Sequence, residues 1–331
     1  MPDPTLWISE ADVVSVLDLP GVIAVLAAGF AAESAGHAVP LEKTMASFAG
    51  HGTLHALGAV AGNLAGAKVW AHTPGGADPV LLLFDASTGR IVAAVEAFAL
   101  GQLRTAGTAG LATDLLTRPD ARCLAIIGTG KQALPQVAAV AAVRPIRQVR
   151  AFSPSAERRE AFARRVHQQL GLPCTAAASA AEAADGADVV TLVTRATEPV
   201  LTAPMVRPGM HINAVGAIDL ARREFESAIL GRATVVTDSP SQARNLSAEL
   251  REFFGAEAGR WQRLRALGDV VRDGPGRRLP EDVTVFKGMG SGVADLAIGR
   301  AVLARVSEAG GGTPVERRGR AVPALTAKGL P

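Results

Sequence analysis

The spacing of apolar residues divides the chain into two textures. In the first, Ser9-Glu10-Ala11-Asp12 reads as a helix N-cap with an acidic first turn, and Val13, Val14 and Leu17 continue it at helical spacing. Apolar and polar positions then alternate through Thr53-Leu54-His55-Ala56-Leu57, and Lys68-Val69-Trp70 leads into a loop at Pro74-Gly75-Gly76; both segments predict strands. Residues 79–95 hold two apolar runs around a polar, glycine-containing turn, which predicts a β-hairpin in which the Asp85 carboxylate caps backbone N–H groups. Residues 104–116 read as a helix of small side chains, stopped by Thr117-Arg118-Pro119-Asp120.

Beyond residue 120 short apolar runs alternate with helical segments: Cys123–Ile127, Gln148–Phe152, 188–193, 211–215 and 234–237. That β–α alternation predicts a parallel sheet covered by helices on both faces, an α/β fold of the nucleotide-binding kind. Residues 310–331, rich in Gly, Pro and Arg, read as a surface arm or a poorly ordered tail. No repeat of solenoid period is present.

Composition narrows the chemistry. A chain of 331 residues accommodates two domains at roughly 150 residues each. With 48% hydrophobic and 20% charged residues it is globular. There is no tyrosine, which excludes any mechanism with a phenol acid or base, including the Tyr–Lys pair of short-chain dehydrogenases. The net charge of +3 is not concentrated into a basic arm, so a nucleic acid partner is not expected. Two cysteines, Cys123 and Cys174, are too few for a disulfide framework or a cysteine-rich metal site and fit a reducing cytoplasm. The first apolar run, residues 22–28, is too short for a membrane span and lacks a basic leader, so neither a membrane nor export is expected. The histidines His37, His51, His55, His72, His167 and His211 show no metal-ligand spacing, and no metal is expected. His55 and His72 could reach a cleft, although a surface or hydrogen-bonded core role is the reading preferred for each.

The strongest local signal is Leu124-Ala125-Ile126-Ile127-Gly128-Thr129-Gly130-Lys131-Gln132-Ala133. A buried strand runs into two glycines that permit a tight turn, and a helix N-terminus follows that would present free N–H groups to a pyrophosphate. Ala133 stands at the third glycine position and is small enough for close helix–strand packing. The next strand ends at Phe152-Ser153-Pro154-Ser155, without the acid that an NAD site places there for the ribose hydroxyls. Ser153 and Ser155 can donate to a phosphate and Arg158 or Arg159 can pair with it, so NADP(H) is favoured, with NAD(H) left open. A solvated helix face is the competing reading of those arginines.

Four segments together carry a resemblance over nearly the whole chain, to about residue 306. They are Leu103-Arg104-Thr105-Ala106, the Gly128–Ala133 turn, Ile212-Asn213-Ala214-Val215-Gly216-Ala217 with Arg223-Glu224, and Val285-Phe286-Lys287-Gly288-Met289-Gly290 through Asp295-Leu296. The chain resembles the ornithine cyclodeaminase/μ-crystallin family. The resemblance implies a homodimer with an N-terminal α+β substrate and dimerisation domain (1–118 with 297–331, completed by a C-terminal helix) facing a Rossmann domain (119–296). It implies that Lys43, Lys68 and Arg104 hold a substrate carboxylate, with Lys43 standing where relatives often have Arg. It places coenzyme contacts at Thr105, Gly128, Thr129, Gly130, Lys131, Gln132, Ser153, Ser155, Arg158, Thr194, Val215, Asp238, Lys287 and Gly288. Cyclodeaminases of the family have an aspartate directly after the Gly-Ala pair, whereas this chain has Ile218 there and Asp219 one place later. In an extended segment that shift turns a side chain to the opposite face, so Asp219 is read either as a displaced catalytic acid or as the cap of a helix over 221–225.

The expectation is an NAD(P)H-dependent reductase of a ketimine or cyclic imino acid, with Lys68, Arg104 and Asp219 as catalytic candidates and Lys68 the main source of the proton. The alternatives are an ammonia-releasing cyclodeaminase with bound NAD, an amino-acid dehydrogenase and a non-catalytic nicotinamide-binding protein.

Overall fold

The computed structural model describes residues 4–48, 52–316 and 323. His51 and the rest of the expected tail, 317–322 and 324–331, lie outside the described residues. The chain opens with β1 (Thr5–Ile8) and α1 (Glu10–Val16), whose N-terminus is closed by reciprocal bonds between Ser9 and Asp12. The apolar run at 22–28 lies in α2 (Leu19–Ser34), a helix that buries Val22, Ile23, Leu26 and Phe30. An antiparallel meander follows: β2 (Ala38–Phe48), β3 (Gly52–Ala61), β4 (Leu64–His72), β5 (Val80–Asp85) and β6 (Ile91–Glu96). The β5–β6 turn is the expected hairpin. Its Asp85 accepts from the backbone and hydroxyl groups of Ser87 and Thr88, and these bonds, led by the Ser87 hydroxyl, hold its carboxyl down to about 2. The next helix, α3 (Phe98–Leu116), starts at Phe98 rather than Arg104 because Glu10 caps it from far away in sequence: Phe98 N and Ala99 N donate to the Glu10 carboxylate at 2.6 and 2.8 Å.

The second half contains β7 (Cys123–Ile127), α4 (Ala133–Val143), β8 (Gln148–Phe152), α5 (Ala156–Leu170), β9 (Cys174–Ala176), α6 (Ala180–Ala184), β10 (Val189–Leu192), β11 (His211–Ala214) and β12 (Ala233–Thr237). It continues through α7 (Pro240–Leu246), α8 (Ala248–Phe254), β13 (Leu264–Ala266), α9 (Leu267–Asp273) and β14 (Val283–Lys287). These strands form an eight-stranded parallel sheet in the order β13-β12-β14-β11-β10-β7-β8-β9. The chain winds outward from β7 to β9 and then returns to place β10 on the other side of β7, which makes β7/β10 the switch point where such sheets bind ligands.

The final helix, α10 (Gly292–Glu308), packs on α2, α3 and the meander, and β15 (Thr313–Val315) pairs antiparallel with β1. The expected division after residue 296 therefore falls inside a helix, and part of the expected tail is a strand. Gly292 permits the contact of α10 with β3, since a Cβ there would lie 1.8 Å from the Gly58 carbonyl oxygen. The first sheet, in the order β15-β1-β6-β5-β4-β3-β2, buries one face under α2, α3 and α10. On its other face Val39, Leu41, Phe48, Leu54, Val60 and Val69 are between 39% and 60% exposed, and the β2–β3–β4 register puts them side by side. No single helix among the described residues is long and apolar enough to cross a membrane.

Candidate active site

A cleft of about 1020 Å³ runs from the switch point to the meander and α3. At its first end Gly128 has φ +103°, and a Cβ there would lie 2.5 Å from the Val193 carbonyl oxygen, so the turn needs glycine. A Cβ on Gly130 would meet nothing within 4 Å; this glycine leaves open room beside the N-terminus of α4. Thr129, Lys131 and Gln132 complete this wall. Ser153, Ser155 and Arg158 also line the cleft, and among the described residues no carboxylate of the β8–α5 junction does. The Thr129 hydroxyl donates to Ser153 Oγ at 3.1 Å, and Ser155 caps α5 by accepting from Arg158 N at 3.2 Å. Arg159 turns instead to the carbonyls of Ser153 and Pro154.

Midway along the cleft stand Thr105, Thr194, Val215, Gly216, Asp238 and Gly288. Asp238 accepts from Met289 N at 2.7 Å and Gly290 N at 2.9 Å, and burial pushes its carboxyl above the usual range. Lys287 does not join this wall. Side chains alternate along β14, so Phe286 and the following Gly288 face the cleft while Lys287 points to the opposite side. It is fully buried there, paired with Glu249 at 3.2 Å.

At the far end Lys43, Trp70, His72 and Arg104 line the cleft. Lys68, buried beneath them, shares a single acceptor with Arg104: Asp295 Oδ1 lies 2.7 Å from Lys68 Nζ and 2.9 Å from Arg104 Nε. Because Asp295 takes Nε, the Nη groups of Arg104 are left available for another carboxylate. Burial, reinforced by the Arg104 charge and opposed by Asp295, brings the Lys68 ammonium down to about 8. Burial and Arg104 also lower Lys43. The Asp295 carboxyl is pushed up by burial, but Arg104 and Lys68 outweigh this and hold it below its ordinary value. Trp70 lies 5.3 Å from Lys68 Nζ and stacks on His55 at 4.7 Å. Burial, with Lys43 nearby, holds His55 down to about 4, so it is neutral at pH 7. His211 is a core residue between Thr284 and Asn213. The described residues contain no cluster of metal-ligating side chains.

Besides Lys287, two site residues differ from the sequence reading. Asp295 enters the sequence reading only as part of a family segment, without a role, although an acid set in the apolar run Val293-Ala294-Asp295-Leu296 one turn into a helix is itself a signal. Asp219 is not part of the cleft wall, whereas Ile218 and Arg222 are. Its carboxylate accepts from Ala221 N at 3.0 Å and lies 3.5 Å from Arg222 Nε. The helix expected over 221–225 is not formed; a turn stands at its start, and Asp219 caps that turn.

A model of the ornithine cyclodeaminase/mu-crystallin family matches residues 5–310. The Delta(1)-pyrroline-2-carboxylate reductase of Bacillus thuringiensis is 32% identical over 240 residues, which cover 72% of this chain and 74% of that protein. The solved structure of Thermococcus litoralis Delta(1)-pyrroline-2-carboxylate reductase in complex with NADH and L-proline is similar with a TM-score of 0.88 at 26% identity, covering 94% of this chain and 100% of that one. An archaeal alanine dehydrogenase dimer with bound NAD has a TM-score of 0.87 at 25% identity, covering 94% and 99%.

Proposed function

The chain belongs to the ornithine cyclodeaminase/mu-crystallin family, and from that premise we propose that it is an NAD(P)H-dependent reductase of a ketimine or cyclic imino acid such as pyrroline- or piperideine-2-carboxylate. The observation that carries this reading is the Lys68–Asp295–Arg104 cluster at the end of a cleft that begins at a dinucleotide turn. The residues fit a nicotinamide coenzyme: Gly130 leaves room at the α4 N-terminus, and Ser153, Ser155 and Arg158 can hold a ribose phosphate. When bound, that coenzyme supplies the hydride. Arg104, with Lys43, grips the substrate carboxylate and fixes the imine carbon in place. Lys68 holds the proton that the imine nitrogen takes as its carbon is reduced. Asp219, occupied in its own turn, is left out of this set, which weighs against a cyclodeaminase that needs an acid at that place.

Mixing the protein with NADPH and pyrroline-2-carboxylate or piperideine-2-carboxylate tests the reading by loss of the reduced-nicotinamide absorbance. Oxidation of the coenzyme is expected. No turnover across cyclic imines and α-keto acid/amine pairs would overturn it. The coenzyme preference has its own check: Arg158→Ala is expected to raise KM for NADPH by about tenfold, the worth of one hydrogen bond to a charged group, with little change for NADH. An equal effect on both coenzymes would remove Arg158 from phosphate recognition.

We also assign the exposed apolar face of the meander to a second copy of the chain, because a continuous patch of this kind is covered in stable proteins. Val69→Asp, at the centre of that face, is expected to convert a dimer into a monomer in sedimentation velocity. An unchanged sedimentation coefficient would place the interface elsewhere.

A further inference from the structure

Glu224 is wholly buried, yet among the described residues no lysine or arginine pairs with it. Four donors hold its carboxylate instead. Thr194 N and Thr194 Oγ1 donate to Oε1 at 2.7 and 2.9 Å, and Gly216 N and Ala217 N donate to Oε2 at 2.7 and 3.0 Å. These donors follow the adjacent strands β10 and β11, and Thr194 and Gly216 stand in the cleft wall. The fit leaves no slack: a Cβ on Gly216 would lie 2.5 Å from Glu224 Oε1 and 2.2 Å from the Thr194 carbonyl oxygen. Glu224 is itself anchored, since its N–H donates to Glu249 Oε1 at 3.1 Å and Lys287 pairs with that same oxygen. Lys287 thus stands at the far end of a buried chain that leads back to the cleft.

We propose that Glu224 is a positioning residue for the nicotinamide half of the coenzyme, tying the loops after β10 and β11 at one fixed separation. A carboxylate offers acceptors on both oxygens and so reaches donors on two loops at once. An amide in its place keeps one acceptor and sets an NH₂ against the N–H groups of the other loop, so the loops must part. A displacement of about 1 Å in such a wall is enough to lower reactivity on the order of 10²-fold. The ADP-ribose half, held at Gly128, Gly130 and the β8–α5 junction, does not depend on this tie.

The proposal rests on the nicotinamide reading above, and binding separates the two. Titrations of parent and Glu224→Gln would use NADPH and 2′-phospho-ADP-ribose, which lacks the nicotinamide. In Glu224→Gln the affinity for NADPH is expected to fall about tenfold, as for the loss of a charge-assisted hydrogen bond, with less than about a twofold change for the fragment. Equal losses for both ligands, or no loss for either, would overturn the positioning role while leaving the dinucleotide reading of the parent intact. A parent that binds neither ligand would overturn both. Should Glu224→Gln not fold, Glu224→Asp keeps the charge and shortens the reach, so that one carboxylate no longer spans both loops; a loss of about threefold confined to NADPH is expected, and an unchanged NADPH affinity overturns the proposal.

Discussion

Replacing Lys68 with Met is expected to lower kcat by about 10²- to 10⁴-fold, the range for loss of a placed general acid. Lys68 is buried at the end of the cleft, and no tyrosine exists in the chain to take its place. Its burial sets the pH dependence. A lysine lowered to about 8 is charged below that pH and loses its proton as pH rises through it. In the parent, kcat/KM is therefore expected to be high on the acid side and to fall above about pH 8. The substrate carboxylate adds a negative charge beside the ammonium, so the corresponding limb of kcat should lie at higher pH. In Lys68→Met this alkaline limb should disappear from the residual rate. A retained limb at the same pH would assign the proton to another group.

The second large effect is expected at Asp295. This fully buried carboxylate is the shared partner of Lys68 and Arg104, so Asp295→Asn leaves two cations side by side without compensation. Breaking a buried pair from one side costs about 3 kcal/mol or more in stability. Loss of the Asp295 charge also lowers Lys68 further, because that charge opposes the effects of burial and of Arg104. The alkaline limb of kcat/KM should then move below its parental position, together with a fall in kcat/KM of about 10²-fold from the loosened grip on the carboxylate. Thermal denaturation separates the stability cost from the pH shift. A destabilised variant with an unmoved pH profile would limit Asp295 to a structural role.

Legibility in the sequence followed the range of the interaction. The Gly128–Gly130 turn, the Asp85 hairpin and the Ser9 cap are made by near neighbours, and each was readable from its own segment. The start of α3 was not, because its cap comes from Glu10. Asp295 acquires its meaning only when α10 returns to lie on β3 and β4, bringing it against Lys68. The short strands β9 and β13 have too few positions to show an alternation. Lys287 shows the cost of reading a motif without its secondary structure: once residues 283–287 are a strand, alternation alone turns the lysine away from Phe286 and Gly288. Asp219 is the converse case: the sequence alone leaves it either a displaced acid or a cap, and only the turn at Ala221 decides for the cap and keeps it out of the cleft wall.

The proposed delivery of hydride to an imine carbon in this cleft is tested most directly by isotope transfer. The protein would be mixed with pyrroline-2-carboxylate and NADPH carrying deuterium at the transferable position of the nicotinamide, and the product analysed by mass spectrometry. One deuterium at the α-carbon of proline, matched by an equal amount of oxidised coenzyme, is the result expected. Ammonia released from ornithine with no net change in the coenzyme, and no deuterium in the product of the imine reaction, would contradict it.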